Sequence, residues 1–90
     1  MEISAAELIK RIDAGDTPVM IDVREPIEYH THNIGGENVP LSSLSNYPDQ
    51  LEYNKTDEIV VICRAGIRSR TAQVILQQQG YQNVKNLTGG

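Results

Sequence analysis

One thiol lies beside a cluster of guanidinium groups. Cys63 is the only cysteine in 90 residues, and Arg64, Arg68 and Arg70, three of the eight basic residues, follow within seven positions. The nucleophilic form of cysteine is the thiolate, and nearby cations favour it. Gly66 permits the tight backbone that a cradle of amide groups requires. Together these residue types suit an anionic sulfur nucleophile acting on an anionic substrate. Two plainer readings compete with this one. Free cysteine is among the most buried residue types and is often inert, and arginines at this spacing can be a solvated helix face.

The flanking elements decide between the readings. Ile59-Val60-Val61-Ile62 is wholly apolar and β-branched, as expected of a strand covered on both faces. Residues 68–79 read as a helix, with Ala72, Ile75 and Leu76 toward the core and Gly80 as its stop. Cys63 therefore falls in a strand-to-helix turn. In open parallel sheets ligands bind beyond the carboxyl ends of the strands, and such a turn aims backbone N–H groups at its contents. A lowered thiol pKa is expected there. This placement favours the reactive reading.

The rest of the chain supplies a scaffold. Ser4 and Glu7 have capping-box spacing, with Ile3 and Leu8 placed for a hydrophobic staple. Ala5, Leu8, Ile9 and Ile12 form one apolar helical stripe, which Gly15 ends. Val19-Met20-Ile21 reads as a buried strand, Pro26 opens a short helix to about His30, and Val39 sits in a brief strand closed by Pro40. Residues 42–51 suggest one or two helical turns, and 83–87 a last short strand. The alternation predicts a three-layer α/β domain with a mostly parallel central sheet flanked by helices.

Composition narrows the functional classes. A net charge of −4 argues against nucleic acid and anionic membrane as partners. No apolar run approaches a membrane span. The N-terminal residues lack a signal-peptide pattern, and one cysteine excludes an internal disulfide, so a cytoplasmic location is expected. His30 and His32 stand at i, i+2, which points them apart on a helix, and no metal or other cofactor is expected. Tyr29, Tyr47, Tyr53 and Tyr81 read as core or edge packing.

Cys63-Arg64-Ala65-Gly66-Ile67-Arg68-Ser69 resembles the active-site loop of single-domain rhodaneses, with the pattern Cys-Arg-x-Gly-x-Arg-Ser. The stretch 21–29, Ile-Asp-Val-Arg-Glu-Pro-Ile-Glu-Tyr, resembles an N-terminal motif of that family, and 33–41 resembles its His-Ile-Pro-Gly-Ala-x-Asn-Ile-Pro-Leu stretch. Residues 80–84 and Leu87-Thr88-Gly89-Gly90 are similar to its closing motifs. The resemblance spans essentially the whole chain and implies one rhodanese domain over 1–90. It implies a sulfurtransferase in which Cys63 takes sulfane sulfur from thiosulfate or a persulfide, becomes a persulfide, and passes the sulfur to cyanide or a thiol. A sulfur-relay protein is a further candidate partner. Arg64, Ala65, Gly66, Ile67, Arg68 and Ser69 would cradle the substrate, with Arg64 and Arg68 holding an anionic donor and Ser69 either capping the helix or touching the sulfur. Asp22 and Arg24 would act as an ion pair fixing the neighbouring loop.

The sequence departs from the family pattern in places. Asn33 replaces a common His, Gly35 a common Pro and Glu37 a common Ala. The family usually continues past Gly-Gly into a short helix, commonly with a Trp; the expectation is either that one edge of the core is open and stability lower, or that the sequence is a piece of a longer chain. Related phosphatases and arsenate reductases place Arg six residues after Cys, a position held here by Ser69. That shorter loop suits sulfur over phosphate. A non-catalytic binding or regulatory rhodanese module would typically lack the cysteine. The terminal Gly-Gly also resembles the tail of small sulfur carriers, whose ubiquitin-like fold does not suit this α/β alternation.

Overall fold

The protein is described here from a computed structural model covering residues 1–46, 51–64 and 67–88. Its strands are β1 (Glu2–Ser4), β2 (Val19–Asp22), β3 (Glu37–Asn38), β4 (Glu58–Ile62) and β5 (Asn83–Thr88). The helices are α1 (Ala5–Asp13), α2 (Pro26–Thr31), α3 (Leu41–Asn46) and α4 (Ile67–Gln78). The strands form one five-stranded sheet in the order β1-β5-β4-β2-β3. Every pairing among them is parallel, which sharpens the expected "mostly parallel".

Strand β4 sits at the centre because its sequence suits no other place. Ile59, Val60 and Val61 have no exposed surface, and successive side chains enter opposite layers. Ile59, Val61 and Cys63 join Ile21, Leu44, Ala72, Leu76 and Val84 beneath α3 and α4. Val60 and Ile62 join Ile3, Leu8 and Leu87 beneath α1. Burial of apolar surface stabilises by about 25 cal/mol per Å², so a strand of large side chains with no exposed surface contributes strongly to the core.

Most elements lie where the sequence puts them, and the differences have physical reasons. Strand β1 was not foreseen: three residues carry too little pattern, and they hold their place only because Ile3 pairs with Leu87. Ser4 still caps α1, its Oγ accepting the N–H of Glu7 at 3.1 Å. The apolar stripe of α1 is only partly covered, with Leu8 buried but Ile9 56% exposed. Of 42–51, α3 accounts for the first part, and 47–50, with Tyr47, lie outside the described residues. Among the other tyrosines, Tyr81 is buried and Tyr29 donates from its hydroxyl to the Gly36 carbonyl at 2.6 Å.

Two of the departures, Asn33 and Gly35, are explained locally. Asn33 donates from Nδ2 to the Tyr29 carbonyl and accepts the Gly35 N–H at Oδ1, both at 2.9 Å, closing the end of α2. Gly35 has φ +103°, which proline cannot adopt. Gly36 has φ +85°, and a Cβ there would stand 2.6 Å from the Met20 carbonyl oxygen.

The sheet end opposite Cys63 is tied by charge. Glu58 receives Nη1 and Nη2 of Arg11 at 2.7 and 2.5 Å and Nζ of Lys85 at 2.5 Å, joining α1, β4 and β5. Hydrogen bonding from Arg11 comes first among the causes that lower the Glu58 pKa to about 2, with Lys85 adding to it. A depressed carboxylate stabilises the fold above its unfolded pKa and loses that contribution as pH falls through the folded one. Glu58→Gln should therefore lower the melting temperature near pH 7, by an amount equivalent to on the order of 1 kcal/mol. The gap between variant and parent should close as pH falls from about 4.5 toward about 2. Thermal melts of both proteins across that range check it, and a gap independent of pH would mean that the carboxylate charge is not responsible.

Candidate active site

The topology makes a crevice before any side chain is considered. From β2 the chain leaves through α2 to β3, and from β4 it leaves through α4 to β5, on opposite sides of the β2–β4 boundary. Connections that diverge in this way open a cleft beyond the strand ends. Asp22 and Ile62 are register partners at that edge, so Asp22 to Arg24 and Cys63 to Arg64 emerge together.

Cys63 is 7% exposed. Its Sγ accepts the backbone N–H of Ser69 at 3.2 Å, from the first turn of α4. The same sulfur lies 3.2 Å from Ser69 Oγ, to which the thiol donates. The Ser69 hydroxyl in turn donates to Oδ1 of Asn86 on β5. Ser69 and Asn86 are both buried. Ser69 thus touches the sulfur through both backbone and side chain. Ala65 and Gly66 lie outside the described residues. Ile67 is 74% exposed and sits at the start of α4.

The arginines part company. Arg70 points away, 3.8 Å from Glu2. Arg64 is exposed and lines the cavity in front of Cys63. Arg68 places its fork on Glu28 of α2, Nη1 to Oε1 at 2.6 Å and Nη2 to Oε2 at 3.0 Å. This contact is the first cause that lowers the Glu28 pKa to about 2, with the Glu25 N–H second. Arg68 is held protonated chiefly by Glu28, and negative charge on Cys63 adds to the effect. The expected grip of Arg68 on an anionic donor therefore has a competitor already in place. Glu28 carried no role in the sequence reading, although it lies within the 21–29 motif.

Asp22 and Arg24 form the expected pair. Asp22 is fully buried. Its Oδ1 accepts the backbone N–H of Arg24 at 3.1 Å and Nε at 2.9 Å, and its Oδ2 accepts Nη2 at 2.8 Å. Arg24 Nη2 also reaches the His32 carbonyl at 2.6 Å, binding the loop after α2 to the end of β2. His30 and His32 are exposed.

In front of the sulfur lies a cavity of about 680 Å³. Ile9 and Ile12 of α1 form one wall, Ile27 and Ile34 another, and Arg24, Glu28 and Arg64 its polar rim beside Cys63.

Asn86 is the second residue that the sequence reading missed, and its signal was legible. Val84 and Asn86 stand at i, i+2 on one face of β5, directed into the core layer of α4. A polar side chain in that layer must have a partner, and Ser69 is the partner.

The chain belongs to the rhodanese-like domain family, whose model matches residues 4–90. The thiosulfate sulfurtransferase PspE of Escherichia coli is 36% identical over 70 residues, covering 77% of this chain and 67% of that protein. A candidate sulfur carrier protein of Bacillus subtilis, YrkF, is 33% identical over 90 residues, covering 99% of this chain. The chain spans only 48% of the length of YrkF. The human single-domain sulfurtransferase TSTD1 superposes with a TM-score of 0.84 at 26% identity, over 99% of this chain and 89% of that one. No helix among the described residues is long and apolar enough to cross a membrane.

Proposed function

We propose that the protein is a rhodanese-type sulfurtransferase, with residues 1–90 as one domain and Cys63 as the sulfur carrier. The observation that carries this reading is the placement of Sγ, which ends the central strand, receives the Ser69 N–H and opens on the cavity. The Cys63 thiolate attacks the outer sulfur of thiosulfate. A new S–S bond forms, the S–S bond of the donor breaks, and sulfite leaves with the electron pair. Cyanide or a thiolate then bonds the outer sulfur, and the pair returns to Sγ. The Ser69 N–H stabilises the charged sulfur in each step, as a donor does in an oxyanion hole. PspE is named for thiosulfate, which supports that donor, and YrkF is named as a candidate sulfur carrier, which supports a protein partner in relay. The solitary cysteine suits a reducing compartment such as the cytoplasm.

Intact-mass spectrometry tests the proposal. Incubation with thiosulfate or an organic persulfide should add the mass of one sulfur atom, and cyanide or dithiothreitol should remove it. An unchanged mass with every donor would favour the non-catalytic binding module.

The pairing of Arg68 with Glu28 refines what its substitution should do. Lysine keeps the charge but loses the planar fork that can share Glu28 with a sulfonate. Arg68→Lys should lower kcat/KM for thiosulfate by roughly tenfold, the scale of one charge-assisted hydrogen bond. The melting temperature should change little, because the ion pair is about one-third exposed. A neutral persulfide donor should be affected less. Equal losses with both donors would show that Arg68 shapes the loop through Glu28 instead of binding the anion.

A further inference from the structure

We infer that Asn86 is a positioning residue for the sulfur chemistry, acting through the hydroxyl of Ser69. The inference rests on the proposed role of Cys63 and adds a residue to that site.

A serine hydroxyl has one hydrogen to give. Ser69 Oγ lies 3.2 Å from Cys63 Sγ and also contacts Asn86 Oδ1. With Cys63 as the thiol, every bond is satisfied in one direction: Sγ–H donates to Ser69 Oγ, and Ser69 Oγ–H donates to Asn86 Oδ1. Removing the thiol proton breaks this order. Sγ and Oγ then face each other as two acceptors unless the hydroxyl turns to the sulfur. Turning takes its hydrogen from Asn86 Oδ1, on a residue 1% exposed, and a buried acceptor that loses its donor is costly. Asn86 therefore competes with the thiolate for one hydrogen. The persulfide relieves the competition, because its charge sits on the outer sulfur and Sγ becomes a weak acceptor. Asn86 thus favours the thiol and the persulfide over the free thiolate, which is the leaving group when the acceptor takes the sulfur.

Other groups set the field in which this competition occurs. Arg64 and Arg68 follow Cys63, Glu28 and His32 come from α2 and the residue after it, and Arg24 is paired with Asp22 at the end of β2. On β5, Lys85 is turned to Glu58, leaving neutral Asn86 on the layer of the sulfur. Asn86 is therefore the contact on β5 through which the hydroxyl can be redirected without moving a charge.

Near-isosteric Asn86→Leu releases the hydroxyl to the sulfur. The rate of Cys63 alkylation by iodoacetamide, measured about one pH unit below the parent's midpoint, should rise roughly three- to fivefold, an acid shift of about half to one unit. The pre-formed persulfide should also discharge faster to cyanide. In a Ser69→Ala background the same change at Asn86 should have no effect on alkylation. Slower alkylation in Asn86→Leu would overturn the inference, since the amide would then be giving its N–H to Ser69. An undiminished effect without the hydroxyl would overturn it too.

The unmodified protein provides a test that needs no folded Asn86 variant. The side-chain amide carbon of Asn86 should shift in NMR spectra with the midpoint found by alkylation, and Ser69→Ala should abolish that shift. A static signal through the titration would sink the idea. These readouts follow thiol ionisation alone. A protein that takes up sulfur without the coupling loses only this inference, and one that shows the coupling but never takes up sulfur loses only the proposed function.

Discussion

Replacing Cys63 with serine should remove sulfur transfer and leave the fold standing. The change exchanges one atom at a site where the neighbouring groups can stay bonded. The Ser69 N–H that reaches Sγ at 3.2 Å can reach a hydroxyl oxygen after a small adjustment, and the melting temperature should move by no more than the equivalent of about 1–2 kcal/mol. The chemistry does not survive. A hydroxyl is scarcely ionised near neutral pH, and as a neutral group it is a poor nucleophile toward the outer sulfur of the donor. Turnover with thiosulfate should fall by roughly three orders of magnitude or more, as for loss of other covalent nucleophiles. The mass increment should disappear with it. Cys63→Ala checks that the loss belongs to the sulfur and not to a misplaced hydroxyl. Residual turnover in both variants at a tenth of the parent rate would mean that the thiol is not the sulfur carrier.

Asp22→Ala should be the most damaging single change to stability near the site. Asp22 is fully buried, and its carboxylate accepts the Arg24 side chain and the Arg24 backbone N–H. Removing it strands a guanidinium whose side chain is only 14% exposed, and breaking a buried pair by deleting one partner costs about 3–5 kcal/mol. In a domain of this size that corresponds to a fall in melting temperature of roughly 12–25 °C. Because Arg24 also holds the His32 carbonyl, the loop after α2 should loosen, and Glu28 should grip Arg68 less firmly. Asp22→Asn keeps an acceptor for the Arg24 N–H and should recover part of the loss. Calorimetry on the two variants decides the matter. A drop of less than about 3 °C in Asp22→Ala would show that Arg24 simply swings into water.

The legible part of this protein was the part written in periodic patterns. Residues 59–62 could be placed because four consecutive apolar, β-branched side chains fit a central strand and little else. Placing Cys63 after it required only the order of elements. What escaped was long-range pairing. Glu28 and Arg68 stand 40 positions apart, and each alone looks like a solvated charge on a helix. Nothing local says that Arg68 will spend its fork on a carboxylate instead of keeping it for a ligand. Asn86 and Ser69 are 17 apart, and only the rule that buried polar groups have partners hinted at their bond. Strand β1 shows the same limit from the other side, since its conformation is supplied by β5 and not by its own residues.

That last dependence sets an order for the birth of the fold. In the finished sheet β1 lies at an edge, and its neighbour is the final strand. Glu2 waits for Asn86, the register partner that lies almost a whole chain away. Closing so long a loop is entropically slow, and topologies rich in such pairings fold late. Without β5 the strand β1 has no partner in the sheet, while β2 and β4 can pair as soon as the chain through residue 62 is available. The sheet should therefore grow outward from that pair, and β5 should arrive as a wedge that seats β1 and completes the layer behind Ser69 in one event. A segment ending before residue 83 should remain protease-sensitive around β1. Extending the segment through residue 88 should protect β1 and β5 together.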